Sequence, residues 1–129
     1  MKKWVILLSC FAPPVMAQGS DGTAATLEAN CKLLDHKAEN AEEAIMGLHC
    51  SSYISGIVDG VGITRGAVSS LLKQSPTELP IAPCFPASGI TGDQARRIFL
   101  KYMQEHPEAL HETARIMLYL SLAQAFPCK

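Results

Sequence analysis

Four histidines are the first candidates for catalysis or metal binding in this sequence, at positions 36, 49, 106 and 111. His49 precedes Cys50, but neighbouring residues on a helix point about 100° apart, so the pair is poorly placed to form a cysteine–histidine nucleophile. Neither His106 nor His111 has the cysteine spacing of a zinc site. The pattern favours capping or surface roles for all four histidines, and we expect no metal or cofactor.

The carboxylates give no stronger signal for catalysis. Glu42 and Glu43 are adjacent, and Glu105, Glu108 and Glu112 are close in sequence. Acidic side chains in first turns and on helix surfaces are usually solvated or interact with the helix dipole. The sequence also has no Gly-x-Ser-x-Gly motif. We therefore predict that the protein is not an enzyme and that it acts by binding another protein.

The first 17 residues have the features of a secretory signal peptide. A Met-Lys-Lys start precedes an apolar run over residues 4–11, and Val15 and Ala17 are small residues at the positions that signal peptidase recognises. The run is shorter than the roughly 20 residues that a membrane-spanning helix needs. We expect cleavage after Ala17, leaving residues 18–129 as a single domain without a membrane anchor. The alternative is a lipoprotein modified at Cys10.

The charge of the mature chain argues against two classes of partner. Nine basic and twelve acidic residues remain after residue 17, a formal net charge of −3, and the basic residues are scattered. Nucleic acids and anionic membranes are bound by clustered positive charge. We expect neither as a partner.

Cysteine usage indicates the compartment. The mature chain keeps four cysteines, Cys31, Cys50, Cys84 and Cys128. An even number in an exported chain of this size is typical of two disulfides in an oxidising environment. The bacterial periplasm is the expected location.

Capping residues and apolar spacing predict two helices in the first half of the mature chain. The first spans about residues 23–36 and points Cys31 inward. The second begins at Asn40, because Glu43 completes a capping box three residues later. Its apolar stripe comprises Met46, Cys50, Tyr53, Ile54, Ile57, Val61, Val68 and Leu72.

Glycines Gly56, Gly60, Gly62 and Gly66 fall within the second helix. Each costs about 1 kcal/mol relative to alanine in a helix interior. We expect either a bend near Gly60–Gly66 or close packing of another helix against Ser52, Gly56 and Gly60. A phosphate-binding loop is disfavoured, because no strand precedes the glycines and no Lys-Ser/Thr ending follows them.

A proline-rich connection follows, from Gln74 to Gly89. Irregular stretches of this length are uncommon in compact domains and are often functional. Two interpretations stay open. The connection contacts a partner, or it covers the core, pinned by Cys84 and with Leu79 and Ile81 turned inward.

Two further helices are predicted in the last third of the chain. Thr91 and Gln94 form a capping box that opens the third helix, and Pro107 interrupts it. Because proline is favoured at the first helical position, we expect the fourth helix to begin at Pro107 and to end before Pro127. Four helices without a convincing strand predict an all-α fold, a small bundle of two helical hairpins.

Four cysteines allow three disulfide pairings, and the hairpin layout favours one of them. Cys84 and Cys128 are equidistant from position 106, beside the break between helices three and four. The midpoint of Cys31 and Cys50 lies beside the start of helix two. An antiparallel fold about each point would bring each pair together, so we predict Cys31/Cys50 and Cys84/Cys128, with each disulfide closing one hairpin.

The order of short motifs along the mature chain resembles the Rap/Tai immunity family. The motifs are Cys50-x-x-Tyr53-Ile54-x-Gly56, Cys84-Phe85-Pro86, Gln94, Tyr102-Met103-x-x-His106-Pro107-Glu108, His111, Ala114 and Phe126-Pro127-Cys128. The resemblance implies an immunity protein that binds a peptidoglycan-cleaving amidase delivered by type VI secretion, in the periplasm, and it makes a homodimer reasonable. The other interpretations are a periplasmic chaperone or stress-type binding protein, or an adaptor subunit of an envelope complex.

Members of this family contact their effectors through loops that differ between proteins, so contact residues must come from this chain alone. Glu78 is the only charged residue of the connection, and Leu79 and Pro80 follow it. Arg96 and Arg97 on helix three are the next candidates. We predict these five as partner-binding residues.

Overall fold

The computed structural model describes residues 22–76, 78, 79 and 82–128. Over these residues the chain forms four α-helices: α1 (Ala24–Lys32), α2 (Ala41–Leu72), α3 (Gly92–Glu105) and α4 (Ala114–Ala125). Short 3₁₀ turns follow α1 and α3, at Leu33–Asp35 and Pro107–Ala109. The only strand-like pairing within this part is an isolated bridge between Thr23 and Thr113. The predicted all-α fold is confirmed; the expected signal peptide lies outside the described residues.

Side-chain caps fix where the first three helices begin. Thr23 accepts a hydrogen bond from the amide of Thr26, Asn40 Oδ1 accepts from Glu43 over 2.9 Å, and Thr91 Oγ1 accepts from Gln94 over 3.1 Å. Each bond satisfies an amide that the helix itself leaves without an acceptor. The N-caps predicted at positions 40 and 91 are confirmed.

The prediction that helix four begins at Pro107 is wrong. Pro107 opens only a 3₁₀ turn, and α4 begins at Ala114. The first amides of α1 need acceptors, and they find them here: Ala24 donates to the carbonyl of Glu112 over 2.8 Å and Ala25 to that of Leu110 over 2.9 Å. These carbonyls face α1, so the chain between the 3₁₀ turn and α4 is irregular rather than helical.

Helix α2 runs without interruption for 32 residues, about 48 Å at the usual rise per residue. Helical structure thus continues through the four glycines where we expected a bend or a close helix contact. An added Cβ at Gly56 or Gly60 would meet no atom within 4 Å, so no described helix packs closely there. At Gly47, by contrast, a Cβ would lie 2.8 Å from Cδ2 of the exposed Leu34 side chain, which would have to shift.

The core forms where α1, α3 and α4 surround the N-terminal half of α2. Its buried members are Ala24, Leu27, Cys31, Cys50, Ile54, Ala95, Phe99, Met103, Ala114, Met117, Leu118 and Leu122. Cys50 and Ile54 from the predicted stripe are buried, whereas Leu72 is 58% exposed, because α2 extends beyond the bundle. No helix of the described chain is both long and apolar enough to span a bilayer.

Two disulfides join Cys31 to Cys50 and Cys84 to Cys128, each with a Cα–Cα distance of 5.1 Å. The first ties α1 to α2 in the centre of the core. The second ties the connection before α3 to the segment after α4. The predicted pairing is confirmed.

Candidate partner-binding surface

The segment between α2 and α3, residues 73–91, is called the α2–α3 connection below, and the structure describes all of it except residues 77, 80 and 81. It begins with Lys73 in the left-handed conformation, φ 53°, which ends α2. Gln74 then returns to the helix, donating its amide to the Ser69 carbonyl over 3.1 Å and accepting from the Ser69 hydroxyl. The chain is thereby turned back along α2.

A turn closed by Ser75 and Glu78 leaves the Glu78 side chain exposed. The Glu78 amide donates to the Ser75 carbonyl over 2.9 Å, and Glu78 Oε2 accepts from the Ser75 amide over 3.1 Å. Arg65 on α2 also contacts this turn: its Nη2 donates to the carbonyl of Pro76 and, over 3.2 Å, to the carbonyl of Leu79. The carbonyls of Pro76 and Leu79 are therefore tied to α2.

The second half of the connection is fastened to α4 and its C-terminal extension. The Tyr119 hydroxyl donates to the Ala82 carbonyl, and the Cys84 amide donates to the Phe126 carbonyl over 2.8 Å. The Phe85 ring meets Phe126 edge-on, with centroids 5.4 Å apart. Together with the Cys84–Cys128 disulfide, these contacts hold the segment against the bundle.

An apolar groove of about 400 Å³ lies beside the connection, between α2 and α4. Its lining residues are Gly56, Ile57, Gly60, Val61, Thr64, Arg65, Ala82, Arg115, Ile116 and Tyr119. On the same two helices Ile63 is 72% and Ile116 47% exposed. Exposed apolar surface beside a groove is typical of a protein interaction site.

The five predicted partner-binding residues are placed very differently. Glu78 and Arg97 are exposed, whereas Leu79 is 2% exposed and Arg96 6% exposed. Leu79 is turned inward, as the covering interpretation of the connection expected, so its side chain cannot form an outer contact. Pro80 and Ile81 lie outside the described residues.

Arg96 is directed at the protein itself. Its guanidinium donates to the Cys31 carbonyl over 3.0 Å, to Asp35 over 2.8 Å and to Asp93 over 3.1 Å. Burial lowers the pKa of Arg96, but the hydrogen bonds to the two carboxylates outweigh it and raise the pKa overall. The prediction of Arg96 as a contact residue is therefore corrected: its side chain joins α1 to α3.

Arg97, one position further along α3, is at the surface and donates to Asp93 over 2.7 Å. The hydrogen bond from Arg97, followed by that from Arg96, holds the pKa of Asp93 below the usual range of an aspartate. Of the two arginines, Arg97 alone remains available as a candidate for partner contact.

The histidines lie apart and have local partners. His49 is within 3.2 Å of the Asn30 amide nitrogen, and His106 is within 3.1 Å of Glu108. The backbone hydrogen bond of Glu108, followed by that from His106, lowers the pKa of Glu108. No group of three potential metal ligands occurs in the part of the chain that the structure describes.

Arg65 and Tyr119 were missed as site residues by sequence reasoning. Both reach the connection across a large sequence separation, 11 residues to Pro76 and 37 to Ala82. No periodicity links such residues, because the contacts depend on how the connection folds back onto α2 and α4.

The family of the chain is shown by comparison with known proteins. No curated protein and no solved structure matches the chain significantly. The family model of the Rap1a immunity proteins matches residues 23–128, which include all four helices, both disulfides and the connection. The chain belongs to the Rap1a immunity protein family.

Proposed function

We propose that this protein is a periplasmic immunity protein that binds and inhibits a peptidoglycan-cleaving amidase effector of type VI secretion, without catalytic activity of its own. The observation that carries the proposal is the family match over residues 23–128. The amidase would act on peptidoglycan in the periplasm, so its inhibitor must be present in the same compartment. The two disulfides support that compartment, since they form in oxidising environments.

The proposed contact surface is centred on Glu78 of the α2–α3 connection. Its carboxylate is exposed, and its backbone is held by Arg65 and by the turn beginning at Ser75. A backbone that such hydrogen bonds already hold loses less conformational entropy when it docks, so more of the contact energy appears as affinity. An acidic side chain on such a loop is suited to a cleft that offers hydrogen-bond donors.

The test is protection of cells that export the cognate amidase, together with the affinity of the purified pair. We expect Glu78→Arg to weaken protection and binding while the circular dichroism spectrum and melting temperature stay unchanged. Glu78→Gln keeps an oxygen that can accept from Ser75, and it separates the effect of charge from that of the turn. Glu39→Arg makes the same charge change on the exposed segment before α2 and serves as the matched control.

Full protection by both Glu78→Arg and a variant shortened between Ser75 and Pro83 would remove the connection from the interface. Attention would then move to the exposed faces of α3 and α4, with Arg97 and Glu112 as candidates. Hydrolysis of peptidoglycan by the purified protein would overturn the proposal that it is not an enzyme.

Export has its own test. We expect the mature protein to begin at Gln18, which intact mass spectrometry of the periplasmic protein would show. A diacylated Cys10 at the N-terminus would instead make the protein a lipoprotein.

A second copy of the chain is the proposed occupant of the groove between α2 and α4. Gly56 and Gly60 leave the α2 backbone open to a close helix contact. Ile116 lines the groove, is 47% exposed and supplies apolar area. Such a surface, placed on a two-fold axis, would pack against itself.

A further inference from the structure

The first half of the α2–α3 connection is held both by its own hydrogen bonds and by α2. Within the described residues, the Glu78 amide donates to the Ser75 carbonyl, and the Gln74 amide donates to the Ser69 carbonyl of α2. Carbonyl groups that neither a helix nor a strand satisfies need another donor when they are buried or close to the protein. The carbonyls of Pro76 and Leu79 have such a donor in Arg65.

Arg65 is suited to hold the turn because a single nitrogen of its guanidinium donates to carbonyls on both sides of Glu78. Its Nη2 donates to the carbonyls of Pro76 and Leu79, which flank Glu78 in the chain. The guanidinium projects from α2 about two turns before that helix ends. A rigid helix thus sets the position of the two carbonyls, which precede and follow Glu78 in the chain.

The bonds from Arg65 are charge-assisted, and such bonds are about twice as strong as those between neutral groups. The acceptors in these two bonds are neutral carbonyls. Leu79, whose carbonyl is one of the two, is also buried. Arg65 therefore holds the backbone both before and after Glu78, and the buried Leu79 side chain holds it after Glu78 as well.

We infer that Arg65 is a positioning residue for effector binding, which keeps the turn at Glu78 in the conformation that the effector recognises. The inference rests on the proposed function of the connection and names the residue that prepares it. Without Arg65 the turn samples other conformations, and the apparent Kd increases by the inverse of the fraction that remains competent.

The test combines amide hydrogen exchange of the mature protein with binding kinetics to the cognate amidase. In Arg65→Ala we expect faster exchange at the Glu78 amide, a slower association rate and an apparent Kd increased about tenfold, as for a turn that is competent about a tenth of the time. The melting temperature of the helices should change little. Arg65→Lys keeps a cationic donor and should recover part of the affinity.

Lys37→Ala is the matched control, because it removes one positive charge from the exposed segment between α1 and α2. It should leave both the exchange and the kinetics unchanged. If Arg65→Ala does not fold, the same measurements on Arg65→Lys decide the question, since a loosened turn must still show faster exchange at Glu78 and weaker binding than wild type.

The outcomes separate this inference from the proposed function. Unchanged exchange at Glu78, or faster exchange with unchanged affinity while Glu78→Arg weakens binding, would overturn the role of Arg65 and leave the contact surface standing. Unchanged affinity in both Arg65→Ala and Glu78→Arg would overturn the contact surface, and the positioning role with it.

Discussion

Arg96 shows how a single charged residue can be structural in this protein. Its guanidinium is buried between α1 and α3, and it donates hydrogen bonds to the Cys31 carbonyl and to the carboxylates of Asp35 and Asp93. The two carboxylates are more than half exposed, so they keep most of their hydration. Cys31 is fully buried, so its carbonyl lacks that hydration and accepts from Arg96 and from the Leu33 amide instead.

We expect Arg96→Ala to lower the free energy of unfolding by about 1.5–3 kcal/mol, the usual contribution of a hydrogen bond that involves a charged group. The matched control is Arg97→Ala, which removes an exposed arginine bound to the same Asp93 and should cost less than about 0.5 kcal/mol. Urea denaturation of both variants measures the difference. Equal losses would show that the bond to the Cys31 carbonyl contributes nothing.

Asp93 gives a prediction about acid stability. Hydrogen bonds from Arg97 and then Arg96 hold its pKa below the usual range. The resulting stabilisation is fully present above the unfolded pKa of about 3.9 and is lost as the pH falls through the lower folded value. We expect NMR titration to find the low pKa in the wild type and a higher one in Arg97→Ala. The same pKa in both proteins would contradict this assignment.

At the scale of elements, the two disulfides differ in their surroundings. Cys31 and Cys50 are fully buried in the core, whereas Cys84 and Cys128 are half-buried at its edge. Loop entropy alone favours the outer disulfide, which closes 44 residues against 19 for the inner one. The corresponding stabilisation is about 4 kcal/mol for the outer disulfide and about 3 kcal/mol for the inner one.

Removing the inner disulfide should nevertheless cost at least as much as removing the outer one. Replacing Cys31 and Cys50 by alanine leaves space in the core, which adds about 1 kcal/mol for each side chain, as for a lost methyl group. In the double variant Cys84→Ala with Cys128→Ala this cost of empty space is smaller, because both cysteines are only half-buried. Denaturant unfolding of the two double variants compares them, and a clearly larger loss for the outer pair would mean that loop entropy decides.

At the scale of the whole molecule, the length of α2 leaves apolar surface uncovered. The bundle surrounds only its N-terminal half, and α2 continues past it with Ile63, Leu71 and Leu72 exposed. Beside this extension lies the groove that α2 forms with α4. The proposed homodimer would cover the groove by placing α2 of one chain against that of another.

Two glycines on different sides of α2 test the dimer. Gly60 lines the groove with α4, whereas Gly62 lies beside the α2–α3 connection, and a Cβ at either would meet no atom within 4 Å. We expect Gly60→Leu to shift the protein from dimer to monomer in sedimentation equilibrium and Gly62→Leu to leave the dimer intact. A monomeric wild type, or equal effects of both variants, would exclude this interface.

The sequence by itself determined the features that depend on near neighbours or on symmetry along the chain. The caps at Asn40 and Thr91 need only an amide three residues away, so spacing sufficed to find them. The all-α fold followed from the apolar periodicity. The disulfide pairs followed from the equal lengths of chain on either side of each hairpin.

Only the tertiary structure decided what depends on distant partners. Helix α4 begins late because α1 takes the carbonyls of Leu110 and Glu112 as acceptors, more than 80 residues along the chain. Arg96 is buried because its acceptors converge from α1 and α3. Arg65 belongs to the candidate site because the connection folds back over α2. Capping, periodicity and composition are local properties, and none of them encodes which remote backbone groups will meet.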